Sequence, residues 1–161
     1  MFRKLILAKH NFSFLQVTAQ TEKPQQADTI LNAAYKESKS SDKKVFLIFH
    51  ASWCNWCKRL DKAMQSEELK KIFEDNFVIT HLDVLEVGEK IAALENPGGK
   101  EIMAKLGGEK SGLPFYAFLD ATGKKLGDSN VMLKNMNIDY PGSAEEIEVF
   151  GKILKSCKAY G

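Results

Sequence analysis

Two thiols separated by two residues, in Trp53-Cys54-Asn55-Trp56-Cys57, are the side chains here whose type and spacing could do chemistry. A Cys-x-x-Cys pair supports thiol–disulfide exchange, or it supplies half of a metal site. On a helix, residues three apart are neighbours with Cβ atoms about 5–6 Å apart, and a disulfide needs about 3.8 Å, so a small adjustment of one turn closes it. At a helix N-terminus, unpaired N–H groups and the positive end of the dipole favour a thiolate over a thiol. Lys58 and Arg59 add positive charge nearby. The motif therefore predicts Cys54 as an exposed attacking thiolate and Cys57, one turn deeper, as the resolving thiol.

The elements that must position this pair are legible around it. Val45-Phe46-Leu47-Ile48-Phe49 is an unbroken apolar run, as expected of a central strand covered on both faces by helices. The thiols follow that strand and open a helix in which Leu60, Ala63 and Met64 share one side. Upstream, Ile30, Leu31, Ala34 and Tyr35 recur at helical spacing after Asp28, a candidate N-cap. Downstream, Ser66 starts another helix to about Glu74, and residues 77–84 read as a strand. A long connection, 85–112, carries a helix-like piece over 86–94, a breaker at Asn96-Pro97-Gly98-Gly99, and a short helix over 100–106. From Pro114, residues 115–120 and 124–126 form an antiparallel hairpin about Ala121-Thr122-Gly123, which makes the sheet mixed. Ser143 with Glu146 is a capping box for a last helix that lines up Ile147, Phe150, Leu154 and Cys157. The class is α/β, a central mixed sheet with helices on both faces.

Composition narrows the function. The 161 residues are 44% hydrophobic with a formal net charge of +2, which suits one domain with a real core and offers no field for a polyanion. No nucleic-acid partner is expected, nor a stable membrane insertion, since no stretch approaches the roughly 20 apolar residues of a span. Three cysteines do not make a stapled scaffold, and Cys157 falls on an apolar helix stripe, where it reads as core. Residues 1–20 pair Arg3-Lys4 with two apolar stretches split by Lys9-His10-Asn11, and end in a cleavage-like Val17-Thr18-Ala19. They are read as a signal peptide or N-terminal extension, residues 21–27 as a linker, and 28–161 as the domain. A periplasmic or secreted location is expected, with cytoplasmic as the alternative.

The stretch from Phe49 to Lys58, with Gly112-Leu113-Pro114-Phe115 further on, resembles the thioredoxin superfamily, specifically bacterial thioredoxin-like proteins with a Trp-Cys-x-x-Cys site. The resemblance covers roughly residues 28–160. It implies a thioredoxin-like fold, a redox-active Cys54–Cys57 couple, and a cis-proline at Pro114 that closes the site and excludes metal. It further implies that the Leu113 backbone pairs with an extended substrate. Trp53 and Trp56 are read as substrate-contact residues, with local packing as the alternative for each. The partners implied are protein thiols and disulfides together with a protein that donates or accepts electrons; no cofactor is needed, and the chain is expected to be a monomer. Three departures set this chain apart: Ile48 stands where thioredoxins place a buried Asp, Asn55-Trp56 replaces Gly-Pro, and the connection to Pro114 is about twice the usual length.

The rival class is a redox-inactive binding module, or a metal carrier using Cys54 and Cys57 with His50 or His81. No second cysteine pair of matching spacing supports a closed zinc site, so no metal is assigned. His50 and His81 read as packing or edge residues. The glycine clusters at 98–99 and 107–112 lack phosphate-loop spacing and read as turns, and Glu67-Glu68 and Glu145-Glu146 read as first-turn acids favoured by the helix dipole.

Overall fold

The computed structural model describes residues 23–130. The expected N-terminal segment 1–20 and the final helix with Ile147, Phe150, Leu154 and Cys157 lie outside the described residues. Among the described residues nine elements follow one another: α1 Ala27–Ser41, β1 Lys44–His50, α2 Asn55–Met64, α3 Glu67–Asn76, β2 Phe77–Asp83, α4 Lys90–Leu94, α5 Gly99–Lys105, β3 Phe115–Leu119 and β4 Lys125–Asp128. The strands form one sheet in the order β2-β1-β3-β4, with β1 parallel to β2 and antiparallel to β3, so the sheet is mixed as expected.

β1 and β3 carry the core because strand periodicity sends alternate residues to opposite faces. Val45, Leu47 and Phe49 of β1, with Phe115, Ala117 and Leu119 of β3, pack with Leu31 and Ala34 of α1 and Met103 of α5. Phe46, Ile48, Tyr116 and Phe118 face the other way, onto Leu60 and Met64 of α2 and Leu69 and Phe73 of α3. The unbroken apolar run in β1 thus has the cause inferred from sequence. On the α2/α3 side Phe46 stacks on Phe118 at 4.8 Å between centroids and meets Tyr116 edge-on at 5.4 Å.

Several boundaries differ from the sequence reading, each for a local reason. Asp28 is not the cap of α1: the N-cap is Gln26, whose carbonyl accepts from Thr29 and Ile30, and Asp28 sits inside the first turn where the dipole favours an acid. The piece expected over 86–94 is helical only from Lys90, because Leu85 and Gly88 take positive φ values of 56° and 59° and break any helix through them. Gly98, at φ 88°, is the residue that lets the chain enter α5. β4 runs to Asp128, beyond the expected 126, after a turn in which Asp120 Oδ1 accepts from the Thr122 and Lys124 N–H groups.

Gly108 is needed for a different reason: a Cβ there would fall 2.5 Å from the Phe115 ring, so the segment leading to Pro114 lies flush on β3. Truncating the other face of the sheet gives a direct measure of what it contributes. Phe46→Ala removes a fully buried ring from an aromatic cluster and is expected to cost about 3–5 kcal/mol, read as a lower urea midpoint at unchanged m-value.

Candidate redox site

β1 ends at His50, and the chain turns at once into the dithiol. Cys54 N–H donates to the Ala51 carbonyl at 3.0 Å, closing a four-residue turn over Ala51-Ser52-Trp53-Cys54. Cys54 is the N-cap of α2, and its Sγ accepts from the backbone N–H of Cys57 at 3.1 Å. One of the orphan donors of the helix terminus is therefore satisfied by the sulfur itself. Cys54 and Cys57 are joined as a disulfide with Cα atoms 5.3 Å apart.

One expectation is corrected here. Cys54 was expected to be exposed and Cys57 deeper, but both are buried, at 2% and 3% exposure. In the disulfide form both sulfurs belong to the core cluster that also holds Phe49, Leu113 and Phe115. What distinguishes the two cysteines is the Cys57 N–H aimed at Cys54 Sγ, not accessibility.

The other expected site residues gather around this turn. Trp53 and Trp56 are about half exposed. The Trp53 indole Nε1–H donates to the Leu85 carbonyl at 2.8 Å, while Arg59 stacks its guanidinium over the Trp56 ring at 4.4 Å. The Leu113–Pro114 peptide bond is cis, as the resemblance implied, and Leu113 shares the core cluster of both cysteines. Leu85, Val87, Ile91 and Leu94 are also exposed, so apolar surface continues from Trp53 onto the connection and α4.

Two sets of pairings could not be read from the sequence. Glu86 is a carboxylate only 4% exposed whose Oε1 accepts from Ser52 N–H and whose Oε2 accepts from Ser52 Oγ, the latter at 2.9 Å. Lys90 Nζ donates to the same Ser52 Oγ at 3.0 Å, and the Glu86 N–H donates to Glu95 Oε1 at 2.8 Å. The only sequence hint was an acid set between Leu85 and Val87, and nothing local predicts Ser52 as its partner. The second group lies on the α2 side of the sheet. His50 Nε2 is 3.3 Å from Asp83 Oδ1, His81 Nε2 is 3.0 Å from Asp61 Oδ1, and the two imidazoles meet edge-on at 5.0 Å. The parallel register sets Ile48 beside His81, so an imidazole neighbours the position where thioredoxins carry a buried acid. Among the described residues, no group of three or more His, Cys, Asp and Glu is arranged to hold a metal ion.

Burial pushes His50 below the usual imidazole value of 6.5, outweighing the attraction of Asp83, with His81 adding to the fall and Asp61 and Glu86 opposing it. Burial likewise raises Asp83 above 3.8 despite His50. The His50–Asp83 contact is thus dominated by desolvation, not by ion pairing. Because His50 titrates lower in the folded chain, it contributes nothing above pH 6.5, and stability falls as the pH drops from there through the lowered folded value. Between about pH 7.5 and pH 5.5 the wild-type urea midpoint should fall further than that of His50→Gln. Parallel pH profiles for the two proteins would refute this.

A family model described as thioredoxin-like matches residues 26–121, which span β1, the dithiol and the Leu113–Pro114 bond. No curated protein matches the sequence. Among solved structures, a disulphide isomerase from Xylella fastidiosa Temecula1 superposes with a TM-score of 0.57 at 18% identity, over 80% of this chain and 89% of that one. A DsbH oxidoreductase gives 0.53 at 24% identity over 92% and 95%. The oxidised C-terminal domain of DsbD from Neisseria meningitidis gives 0.50 at 18% identity over 81% and 98%. At these identities the three share the fold with this chain.

Proposed function

The chain belongs to the thioredoxin-like family, and from that premise we propose that it is a thiol–disulfide oxidoreductase acting on protein substrates through Cys54 and Cys57. The observation that carries this reading is the Cys54–Cys57 disulfide at the N-terminus of α2, with the Cys57 N–H donated to Cys54 Sγ. That donor, together with the positive end of a ten-residue helix, stabilises negative charge on Cys54 once the disulfide opens.

In the reducing direction the Cys54 thiolate attacks one sulfur of a partner disulfide. A Cys54–partner bond forms, and the partner's other sulfur leaves as a thiolate. The Cys57 thiolate then attacks Cys54 Sγ, re-forming the intramolecular disulfide and releasing the second partner thiolate, so two electrons pass to the partner. The form described above is the oxidised end of this cycle. Oxidation of a partner dithiol runs the same steps backwards, and the potential of the couple against its redox partner protein sets the direction.

Trp53, Trp56, Leu113 and Pro114 form the partner-binding surface in this reading. The exposed Leu85, Val87 and Ile91 extend it, which favours partner segments with apolar residues beside the reacting cysteine. The Leu113 backbone pairs with such a segment as an added strand.

Single-cysteine variants test the assignment. Cys54→Ser is expected to reduce disulfide-exchange activity to background. Cys57→Ser is expected to accumulate a mixed disulfide on Cys54, visible by mass spectrometry under non-reducing conditions. Full activity in Cys54→Ser with loss in Cys57→Ser would reverse the two roles.

A further inference from the structure

The long connection does more than link β2 to α5: it is bolted to the dithiol turn at consecutive residues. The Leu85 carbonyl accepts from the Trp53 indole, and the Glu86 carboxylate accepts from both the N–H and the hydroxyl of Ser52. The turn closes on itself through Cys54 N–H to the Ala51 carbonyl, so Ser52 and Cys54 cannot move independently. Glu86 is held from behind as well, through its own N–H to Glu95, which in turn pairs with Lys100 of α5 at 3.2 Å. A carboxylate with 4% exposure, using both oxygens as acceptors two residues from the N-cap cysteine, is costly to place and is not needed to cap any helix.

We propose that Glu86 is a positioning residue of the redox site: its carboxylate fixes Ser52 in the dithiol turn, and its charge biases the Cys54–Cys57 couple toward the disulfide. This deepens the exchange reading and rests on it. The reduced protein carries the Cys54 thiolate and the oxidised protein carries no charge on sulfur, so a neighbouring negative charge disfavours the reduced form alone. The Cα atoms of Ser52 and Cys54 lie at most about 7 Å apart along the chain, and the carboxylate bonded to Ser52 is buried, where a charge is screened much less than in open solvent. The N-terminus of α2 stabilises the thiolate and Glu86 opposes it, and the balance of the two sets the reducing strength. Lys90, on Ser52 Oγ at 3.0 Å, offsets part of that charge from the solvent side.

The test equilibrates the full chain with glutathione buffers and reads the oxidised fraction by alkylation mass spectrometry on the Cys54–Cys57 peptide, which excludes Cys157. The pH profile of Cys54 alkylation in the reduced chain is measured alongside. Glu86→Gln keeps the shape and an acceptor oxygen while removing the charge. Its equilibrium should move roughly three- to tenfold toward the dithiol, with the alkylation profile shifted to lower pH, a tenfold change being about 30 mV for this two-electron couple. Ser52→Ala keeps both charges and loses only the hydroxyl contacts to Glu86 and Lys90, and should stay within about twofold of wild type. Lys90→Met, on the solvent side, should move the equilibrium about twofold toward the disulfide. A Glu86→Gln equilibrium and profile matching wild type, a Ser52→Ala shift as large as that of Glu86→Gln, or a Lys90→Met equilibrium unchanged or moved toward the dithiol would overturn the proposal. A wild-type chain with no two-electron couple would instead overturn the exchange reading and this inference with it.

Discussion

β1 is paired on both edges and covered on both faces, and the rest of the structure is arranged around that constraint. Its five central residues are all buried, so each must be apolar and each must find partners on its own side of the sheet. Parallel pairing with β2 and antiparallel pairing with β3 fix its direction, and the direction fixes where the chain emerges: at His50, with the dithiol turn following at once and Cys54 four residues on. A site that needs a helix N-terminus held against a rigid support is met by the carboxyl end of a strand buried on both faces. The proline-bearing segment is set by the same logic, since Pro114 immediately precedes β3, the other neighbour of β1.

The surroundings of the dithiol use backbone groups in preference to side chains wherever they can. The Cys57 N–H serves Cys54 Sγ, the Cys54 N–H serves Ala51, and the Leu85 carbonyl serves Trp53. Side-chain chemistry enters at two places: Glu86 behind Ser52, and the imidazole pair on the α2 side of the sheet. The two differ in character. Glu86 is a buried acid with its acceptors filled, whereas His50 and His81 are partly solvated and share their positions with Asp83 and Asp61. Ile48 keeps that level of β1 apolar, with His81 beside it on β2.

What the sequence made legible was what depends on short-range pattern. The run Val45–Phe49 announced a strand buried on both faces, Cys54 and Cys57 announced a helix start, and the resemblance placed the cis bond at Pro114. The features it hid depend on residues far apart along the chain. Glu86 looked like the first turn of a helix because its acceptor role is set by Ser52, 34 residues earlier. Asp28 looked like a cap, but Pro97 accepts from the Ala27 N–H and helps start α1 two residues sooner. Cys54 looked exposed because helix position alone says nothing about the core cluster that closes over the disulfide.

The bond from Trp53 to Leu85 has a consequence for how such a protein can diversify. Its acceptor is a main-chain carbonyl, so the side chain at 85 is not what holds the indole; any residue that tolerates a φ of 56° can keep the contact. Val87 and Ile91 likewise make no contribution to the core. On the proposed exchange reading, the face offered to partners can therefore be rewritten residue by residue while the hydrogen bonds beneath the sulfurs stay in place, which makes recognition and redox chemistry separately evolvable on one short piece of chain.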